Sequence, residues 1–447
     1  MHFSSTLVAV LAATTATAAP TVDVRSLKSD LTALLQKLGI TIQTNANSHG
    51  ITVSGIYSFT FPKVSLSPKR ITHAINWPKG CDGQKFINWS TFKANGVNLG
   101  AWLEQERTHD PVWWDSHAPG TLDEWNFCAT LGDQCGPVLE ERYATFITTA
   151  DIDKLAAVGV NTLRIPLTYA AWVKVPGSNF YTGNQQKYLS QISQYAIERH
   201  NMHVIIGLHS LPGGVNSLDI GEGFGRGGWF NNATNLDYSF RAVDAVLAFI
   251  KASGHANAFT LAPLNEASDN LAGFGSAAGL TANGTDWINT YVKGVLAKVA
   301  KVDKRIPVML QDCFMGPDYW APFYDAATNL VVDSHVYYFA ASGVYSQYVP
   351  PAICGQAAQL QGKGKFPVFV GEFSLQTMYN NTYANRKTIF DTQRYAWQKY
   401  ASGGAFWTAR SLSTTAVDGE GSQADYWSYI PLIDAGVITS QTNSSYC

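Results

Sequence analysis

The sequence is short of charge. Only 14% of its 447 residues are charged, and 31 Lys and Arg against 33 Asp and Glu leave a formal net charge of -2. No basic run is interleaved with aromatics, so the footprint that a nucleic-acid partner requires is missing. No continuous apolar run reaches the roughly 20 residues of a membrane-spanning helix, which excludes a helical membrane protein. The six cysteines, Cys81, Cys128, Cys135, Cys313, Cys354 and Cys447, show no C-x-x-C spacing, so disulfides are expected in place of zinc. The short loop "CATLGDQC" makes Cys128 with Cys135 the expected bridge. The glycine-rich stretch "LPGGVNSLDIGEGFGRGGWF" lacks the Lys-Ser/Thr ending of a phosphate loop, which excludes nucleotide binding there. Its Asp219 and Glu222 are read as solvated loop charges in preference to sugar contacts. Low-complexity linkers and internal repeats are also missing, which argues against a second domain.

Apolar and aromatic residues are plentiful. The chain is 46% hydrophobic, with 13 Trp, 21 Tyr and 22 Phe, enough for one large core. Residues 1–19 have a weakly basic start, the apolar run Leu7 to Ala13 and small residues before Pro20, the pattern of a signal peptide. Export is therefore expected, and the N-x-S/T sequons at Asn88, Asn232, Asn283, Asn380 and Asn443 fit a glycoprotein. Residues 20–93 form an N-terminal extension or a propeptide, with a short helix in "VDVRSLKSDLTALLQKLGI" and a strand in "ITVSGIYSFTF". Lys69 and Arg70 are taken as exposed charges ahead of a processing site. Residues 94–435 carry the main domain and 436–447 a tail.

Within the main domain one unit recurs, an apolar strand ending in polar or aromatic residues and preceded by a helical stretch. The strands are "GVNLGAW" (96–102), "NTLRIPL" (161–167), "HVIIGLHS" (203–210), "FTLAPLNEA" (259–267), "PVMLQD" (307–312), "LVVDSHVYY" (330–338), "PVFVGEFS" (367–374) and "GGAFWTAR" (403–410). Helical periodicity marks "TTADIDKLAAVG", opened by Thr149 or Ala150 with Asp151, and also "QQKYLSQISQYAIERHN" and "DYSFRAVDAVLAFIKASG". Eight such units, with strands apolar enough to be buried on both faces, predict an α/β protein of the closed (β/α)8 TIM-barrel class with an N-terminal extension.

In such a barrel the reacting groups sit at the C-terminal ends of the strands. Those ends carry Arg164, His209, Asn265 with Glu266, His335 with Tyr337, Glu372 and Trp407. In "VVDSHVYYF" the alternation of a strand sends His335 and Tyr337 the same way. Packing alone would place aliphatic residues at these positions. Two glutamates facing one cleft suit hydrolysis of a glycosidic bond, in which one carboxylic acid protonates the leaving oxygen and a second carboxylate meets the oxocarbenium-like carbon. Arg164 beside Glu372 favours its ionised form, which leaves the less compensated Glu266 as the acid. Water is the sole co-reactant this chemistry needs, so neither a cofactor nor a metal is expected. The sequence sets no oligomeric state.

"APLNEA", "VFVGEFS", "TLRIP", "GLHSLPGG", "SHVYYF" and "AFWTAR" resemble the strand-end motifs of glycoside hydrolase family 5, and "GVNLGAWL" with "LHSLPGGVNSLDIGEGF" is similar to its fungal exo-β-1,3-glucanase branch. The resemblance covers roughly residues 94 to 435. It implies a retaining double displacement with Glu372 as nucleophile and Glu266 as acid and then base. It also implies that Asn265 holds the sugar 2-hydroxyl, Arg164 orients Glu372, Tyr337 hydrogen-bonds Glu372, His335 lines the site near Glu266, His209 meets sugar hydroxyls and Trp407 forms a stacking floor. The chain departs from the family pattern at Ala267, where Asn-Glu-Pro is usual, at Ala101, where Gly-Gly-Trp is usual, and in "FWTARS". Trp113 and Trp114 in "ERTHDPVWWDSH" are either a wall of the entrance or a loop packed on itself.

The leading expectation is thus a secreted exo-β-1,3-glucanase acting on a β-linked oligo- or polysaccharide. The alternatives are a diglycosidase of the rutinosidase kind, an endo-β-1,6-glucanase, and a non-catalytic carbohydrate-binding protein.

Overall fold

The computed structural model describes residues 85–341, 343–440 and 447 in full and the backbone of 41–44, 50–54 and 58–62. The expected helix before residue 41, Lys69, Arg70, Cys81 and Asn443 lie outside the described residues. The chain divides into two compact units, Met1–Asn76 and Trp77–Cys447. In the first, β1 (Thr41–Thr44), β2 (Gly50–Ser54) and β3 (Ser58–Pro62) form an antiparallel meander. The single strand expected in "ITVSGIYSFTF" is therefore two paired strands. Ser54 lies opposite Ser58 in the β2–β3 register.

The second unit is a closed parallel barrel built from β4 (Ala94–Asn98), β5 (Thr162–Leu167), β6 (His203–Leu208), β7 (Phe259–Ala262), β8 (Val308–Gln311), β9 (Leu330–Tyr338), β10 (Val368–Thr377) and β11 (Gly403–Phe406). Consecutive strands pair all the way round, and β11 closes on β4. The eight expected strands are all present, and most are shorter than their apolar runs because the polar ends turn into loops. Every residue of β5 and β6 is buried, as strands covered on both faces require. Helices Gln185–His200, Ala233–Ala252, Ala282–Asp303, Val349–Leu360 and Arg386–Tyr400 cover the outside. Among the described residues no helix is long and apolar enough to cross a membrane.

Helix Thr149–Ala157 begins at the first of the two residues that its sequence suggests. Thr148 is the N-cap, and its side chain and that of Asp151 satisfy each other's backbone N–H groups in a capping box. Trp89 packs against Ala94, Ile205, Met309, Val331, Phe369 and Ala405 at the N-terminal end of the barrel, and its indole donates to Thr260 at 3.0 Å. Cys128 bonds to Cys135 as expected, and Cys354 to Cys447. The sequon residues Asn88, Asn232, Asn283 and Asn380 are all exposed.

The long β4–β5 connection folds into helices Pro111–His117, Glu124–Leu131 and Cys135–Thr145. Here Trp114 is buried against Phe127, while Trp113 stacks on Phe127 and carries the Arg142 guanidinium 4.2 Å over its ring. Neither tryptophan lines the cleft described below, so this loop packs on itself.

Two backbone positions give opposite tests. Gly403, at φ +91°, opens β11 where it pairs with Ala94, and a Cβ there would lie 1.9 Å from the Ala94 carbonyl oxygen. Gly403→Ala should destabilise the barrel by at least about 2 kcal/mol in urea unfolding. Ala101 is held at φ +55°, in the left-handed region that favours glycine. Ala101→Gly should raise stability by up to about 1 kcal/mol; a loss in the same assay would show that the Ala101 methyl packs better than its strained backbone suggests.

Candidate active site

Parallel strands deliver their C-terminal ends to one face, and there the polar side chains converge. Arg164, buried on β5, donates from Nη1 to Glu372 Oε1 at 2.7 Å and to Asn98 Oδ1 at 3.0 Å, and from Nη2 to Asn265 Oδ1 at 2.7 Å. Its Nε lies 3.8 Å from Asp333 Oδ2. Asn98, at the end of β4, donates to the carbonyls of Gly371, Ala405 and Phe406, so it ties three strands together under the arginine. Tyr337 donates to Glu372 Oε2 at 2.9 Å, and both of that carboxylate's oxygens are occupied.

His335 stands between the two glutamates. Its Nδ1 is 2.5 Å from Glu266 Oε1 and 3.4 Å from Glu372 Oε2, and its Nε2 is 3.5 Å from Asp333 Oδ2. Glu266 follows β7 with φ +44°, a left-handed conformation unusual for a glutamate and typical of functional sites. Glu266 has the imidazole beside it, whereas Glu372 has Arg164, Tyr337 and the same imidazole, which agrees with the expectation that Glu266 is the less compensated carboxyl. Oxygens of Glu266 and Glu372 and a nitrogen of His335 all lie within 4.8 Å of one another.

Burial alone would lower the His335 pKa, but Glu372 and Asp333 push it up to about 10, so His335 is an imidazolium at neutral pH. Burial raises the Glu372 carboxyl, against the opposing charges of His335 and Arg164. Burial pulls Arg164 down, and Glu372 and Asp333 more than restore it. His209 is held well below the ordinary imidazole value by burial and by the nearby Arg164 and His335 charges, so it is neutral. Its Nε2 sits 3.5 Å from Asn265 Nδ2, which places it as the acceptor.

Trp407 is 3% exposed and lies parallel to His209 at 5.6 Å, so most of its ring is already covered and it borders the cleft mainly as packing. Its indole donates to His109 Nε2 at 2.8 Å. Since an indole only donates, His109 carries its proton on Nδ1, toward Ser411. Burial lowers the His109 pKa to about 4, in keeping with a neutral ring. Glu106 consequently gains no proton from His109, and its Oε1 is buried with no hydrogen-bond partner among the described residues. Burial, with Asp219 and Glu372 nearby, pushes the Glu106 carboxyl well above its usual range.

A cleft of about 730 Å³ opens over these groups, within the span of small-molecule sites. All eight site residues expected from the sequence except Arg164 line it, and Arg164 lies beneath Glu372 and Asn265. Sequence reasoning missed Glu106, His109, Trp427 and Asp312. Trp427 stacks on Tyr337 at 5.3 Å and 17°. The reading of Asp219 and Glu222 as solvated charges is also corrected. Asp219 lines the cleft, and Glu222 is buried, accepting from Tyr169, the Gly213 amide and Arg226.

Glu266, His335 and Glu372 have the spacing of a metal triad, as do Glu104, Glu106 and His209. The first set does not suit a cation, because a protonated His335 has no free lone pair and Arg164 already occupies Glu372.

Residues 134–413 match the model of the cellulase family, glycosyl hydrolase family 5. The chain belongs to glycoside hydrolase family 5. As a family 5 member it is a glycosidase that hydrolyses O-glycosyl bonds, and the family implies a β-glycoside or glucan as substrate. It is 30% identical over 284 residues to a probable glucan 1,3-β-glucosidase A of Aspergillus niger, covering 62% of this chain and 64% of that one, slightly less than two thirds of the relative's length. A probable glucan 1,3-β-glucosidase A of Aspergillus fumigatus is 31% identical over 322 residues, covering 66% and 73%. The crystal structure of rutinosidase from Aspergillus niger is similar at 48% identity and a TM-score of 0.78, covering 79% of this chain and all of that one.

The His335 cation provides the test of this electrostatic picture. Its folded pKa lies above the unfolded value of about 6.5, so the stability it contributes is fully present below that pH and is lost as pH rises toward 10. Histidine 15N NMR should show one imidazole still protonated at pH 8, missing in His335→Gln. A His335 ring that is neutral at pH 7 would contradict the charge assignment.

Proposed function

We propose that this family 5 enzyme is a retaining β-diglycosidase of the rutinosidase kind, releasing an intact disaccharide from an aromatic aglycone. The observation that carries this reading is the 48% identity to a rutinosidase over that protein's whole length, against about 30% to the glucan glucosidases over part of theirs. This reverses the order expected from motifs alone. Exo-β-1,3-glucanase activity is the second reading, favoured by those glucosidases. Export through residues 1–19 belongs to the proposal.

In the proposed mechanism Glu372 attacks the anomeric carbon while the glycosidic C–O bond breaks and Glu266 gives its proton to the leaving oxygen. Glu266 then takes a proton from water, whose oxygen attacks the same carbon and frees Glu372. The closeness of the two carboxyls supports retention, since retaining pairs stand about 5–5.5 Å apart and inverting pairs about 6.5–9.5 Å. Arg164 and Tyr337 hold both oxygens of Glu372, which fixes the attacking lone pair. His335 donates to Glu266 and so fixes the orientation of that carboxyl toward the leaving oxygen. Asn265 keeps one N–H of its amide for the sugar, because its carbonyl is committed to Arg164 and its other N–H faces His209 Nε2.

Rutin and a laminari-oligosaccharide should be supplied together and the earliest products weighed by mass spectrometry. A free disaccharide with aglycone is the expected result, and single glucose units from the oligosaccharide would establish the second reading instead. Glu372→Gln should lose at least about 10³-fold in kcat. Glu266→Ala should lose about 10²–10⁴-fold on rutin but far less on a glycosyl fluoride, which needs no acid. Equal losses on both substrates would remove Glu266 from the acid role.

A further inference from the structure

The cleft changes character along its length. Glu106, His109, His209 and Asp219 make one end polar, whereas Phe274 and Phe314 line it elsewhere with bare rings. Phe274 lies in the loop that follows Glu266, and Phe314 in the turn after the neighbouring strand β8. The two rings meet edge to face with centroids 5.5 Å apart at 73°, and both remain half-buried.

The backbone beneath Phe314 is strained. Cys313 and Phe314 are consecutive non-glycine residues at φ +53° and +60°. Each such position costs roughly 1–2 kcal/mol. The bend is held by the Phe314 N–H donating to Asp312 Oδ1 and the Cys313 N–H donating to Gln311 Oε1, both at 2.8 Å, and Asp312 in turn accepts from Ser334 at 2.6 Å. A phenylalanine left half-exposed by a strained turn is a poor bargain for the fold alone, since continued burial would stabilise it more.

We propose that Phe274 and Phe314 form a platform for the leaving group, selecting flat aromatic aglycones over sugars. The inference rests on the reading above in one respect, that Glu266 delivers the proton to the leaving oxygen. The group carried by that oxygen then lies on the Glu266 side, where the Phe274 loop and the β8 turn are its neighbours. Two phenyl rings offer π faces and no hydrogen bonds, so an aromatic aglycone gains stacking while a sugar would lose partners for its hydroxyls. The polar end is left for the sugar that is transferred.

Phe314→Ala and Phe274→Ala should each lower kcat/KM for rutin about tenfold, and the pair more. Activity on a β-glycosyl fluoride, whose leaving group has no ring, should stay within about twofold and reports that the barrel is folded. Affinity for free quercetin, followed by fluorescence quenching, should weaken about tenfold, and Phe314→Tyr should restore most of it. Equal losses on rutin and the fluoride, or unchanged quercetin affinity in both alanine variants, would overturn the platform. Should the wild type leave rutin intact and cut aryl β-glucosides, the diglycosidase reading fails alone. A 4-methylumbelliferyl β-glucoside then replaces rutin in the same comparison, and the platform stands or falls on it.

Discussion

The site depends on one buried cation. Arg164 is 1% exposed, and a guanidinium taken out of water must find acceptors for its fork of N–H groups or destabilise the fold by several kcal/mol. Its acceptors are Asn98 at the end of β4, Asn265 after β7 and Glu372 on β10, with Asp333 on β9 close by. Satisfying one side chain therefore fixes the relative positions of four strands and of the carboxylate proposed as nucleophile. Asn98 extends this coupling, since its amide also gathers carbonyls from β10 and β11. The same contacts that remove the penalty of burial also pre-orient Glu372.

A single arginine would leave the site negative. Glu266, Glu372 and Asp333 surround a space in which Arg164 and the His335 imidazolium are the nearest cations, and the two neutral histidines, His209 and His109, add none. His335 touches all three carboxylates, so it is the charge that lets two glutamates approach within 4.8 Å. Glu106 lacks such a partner, and its carboxyl is correspondingly pushed toward the neutral form, in which it would donate as well as accept. A polar cleft end made of neutral donors and acceptors matches hydroxyl-rich ligands better than a charged one would.

The barrel was legible in the sequence because parallel strands buried on both faces leave an apolar signature, and because polar residues at their ends violate it. Arg164, Glu266, His335, Tyr337 and Glu372 stand out for that reason. Glu106, His109, Phe274, Phe314 and Trp427 do not, since they lie in loops and short helical turns, where polar and aromatic residues are ordinary and no periodicity marks them; Asp312, which ends the expected strand 307–312, carries the same signal as the five. Trp407 was legible as a site residue but not as one already covered by His209, because a sequence shows which strand end a side chain occupies and not what lies on its face. The polarity of Glu222 misled for a related reason: a loop that folds inward over Tyr169 and Arg226 looks in sequence like one in solvent.

This division between strands and loops bears on what the likenesses to known proteins mean. The groups proposed for bond breaking are anchored by backbone that the barrel itself dictates, so they are the part most tolerant of divergence elsewhere. The groups that meet the leaving group hang from the loops after β7 and β8, and nothing in barrel closure requires the strained turn at Cys313 and Phe314. Family membership thus constrains the chemistry and leaves the substrate open. The left-handed backbone at Cys313 and Phe314 after β8, and at Glu266 after the adjacent β7, gathers costly conformations beside the proposed acid, where only function repays them.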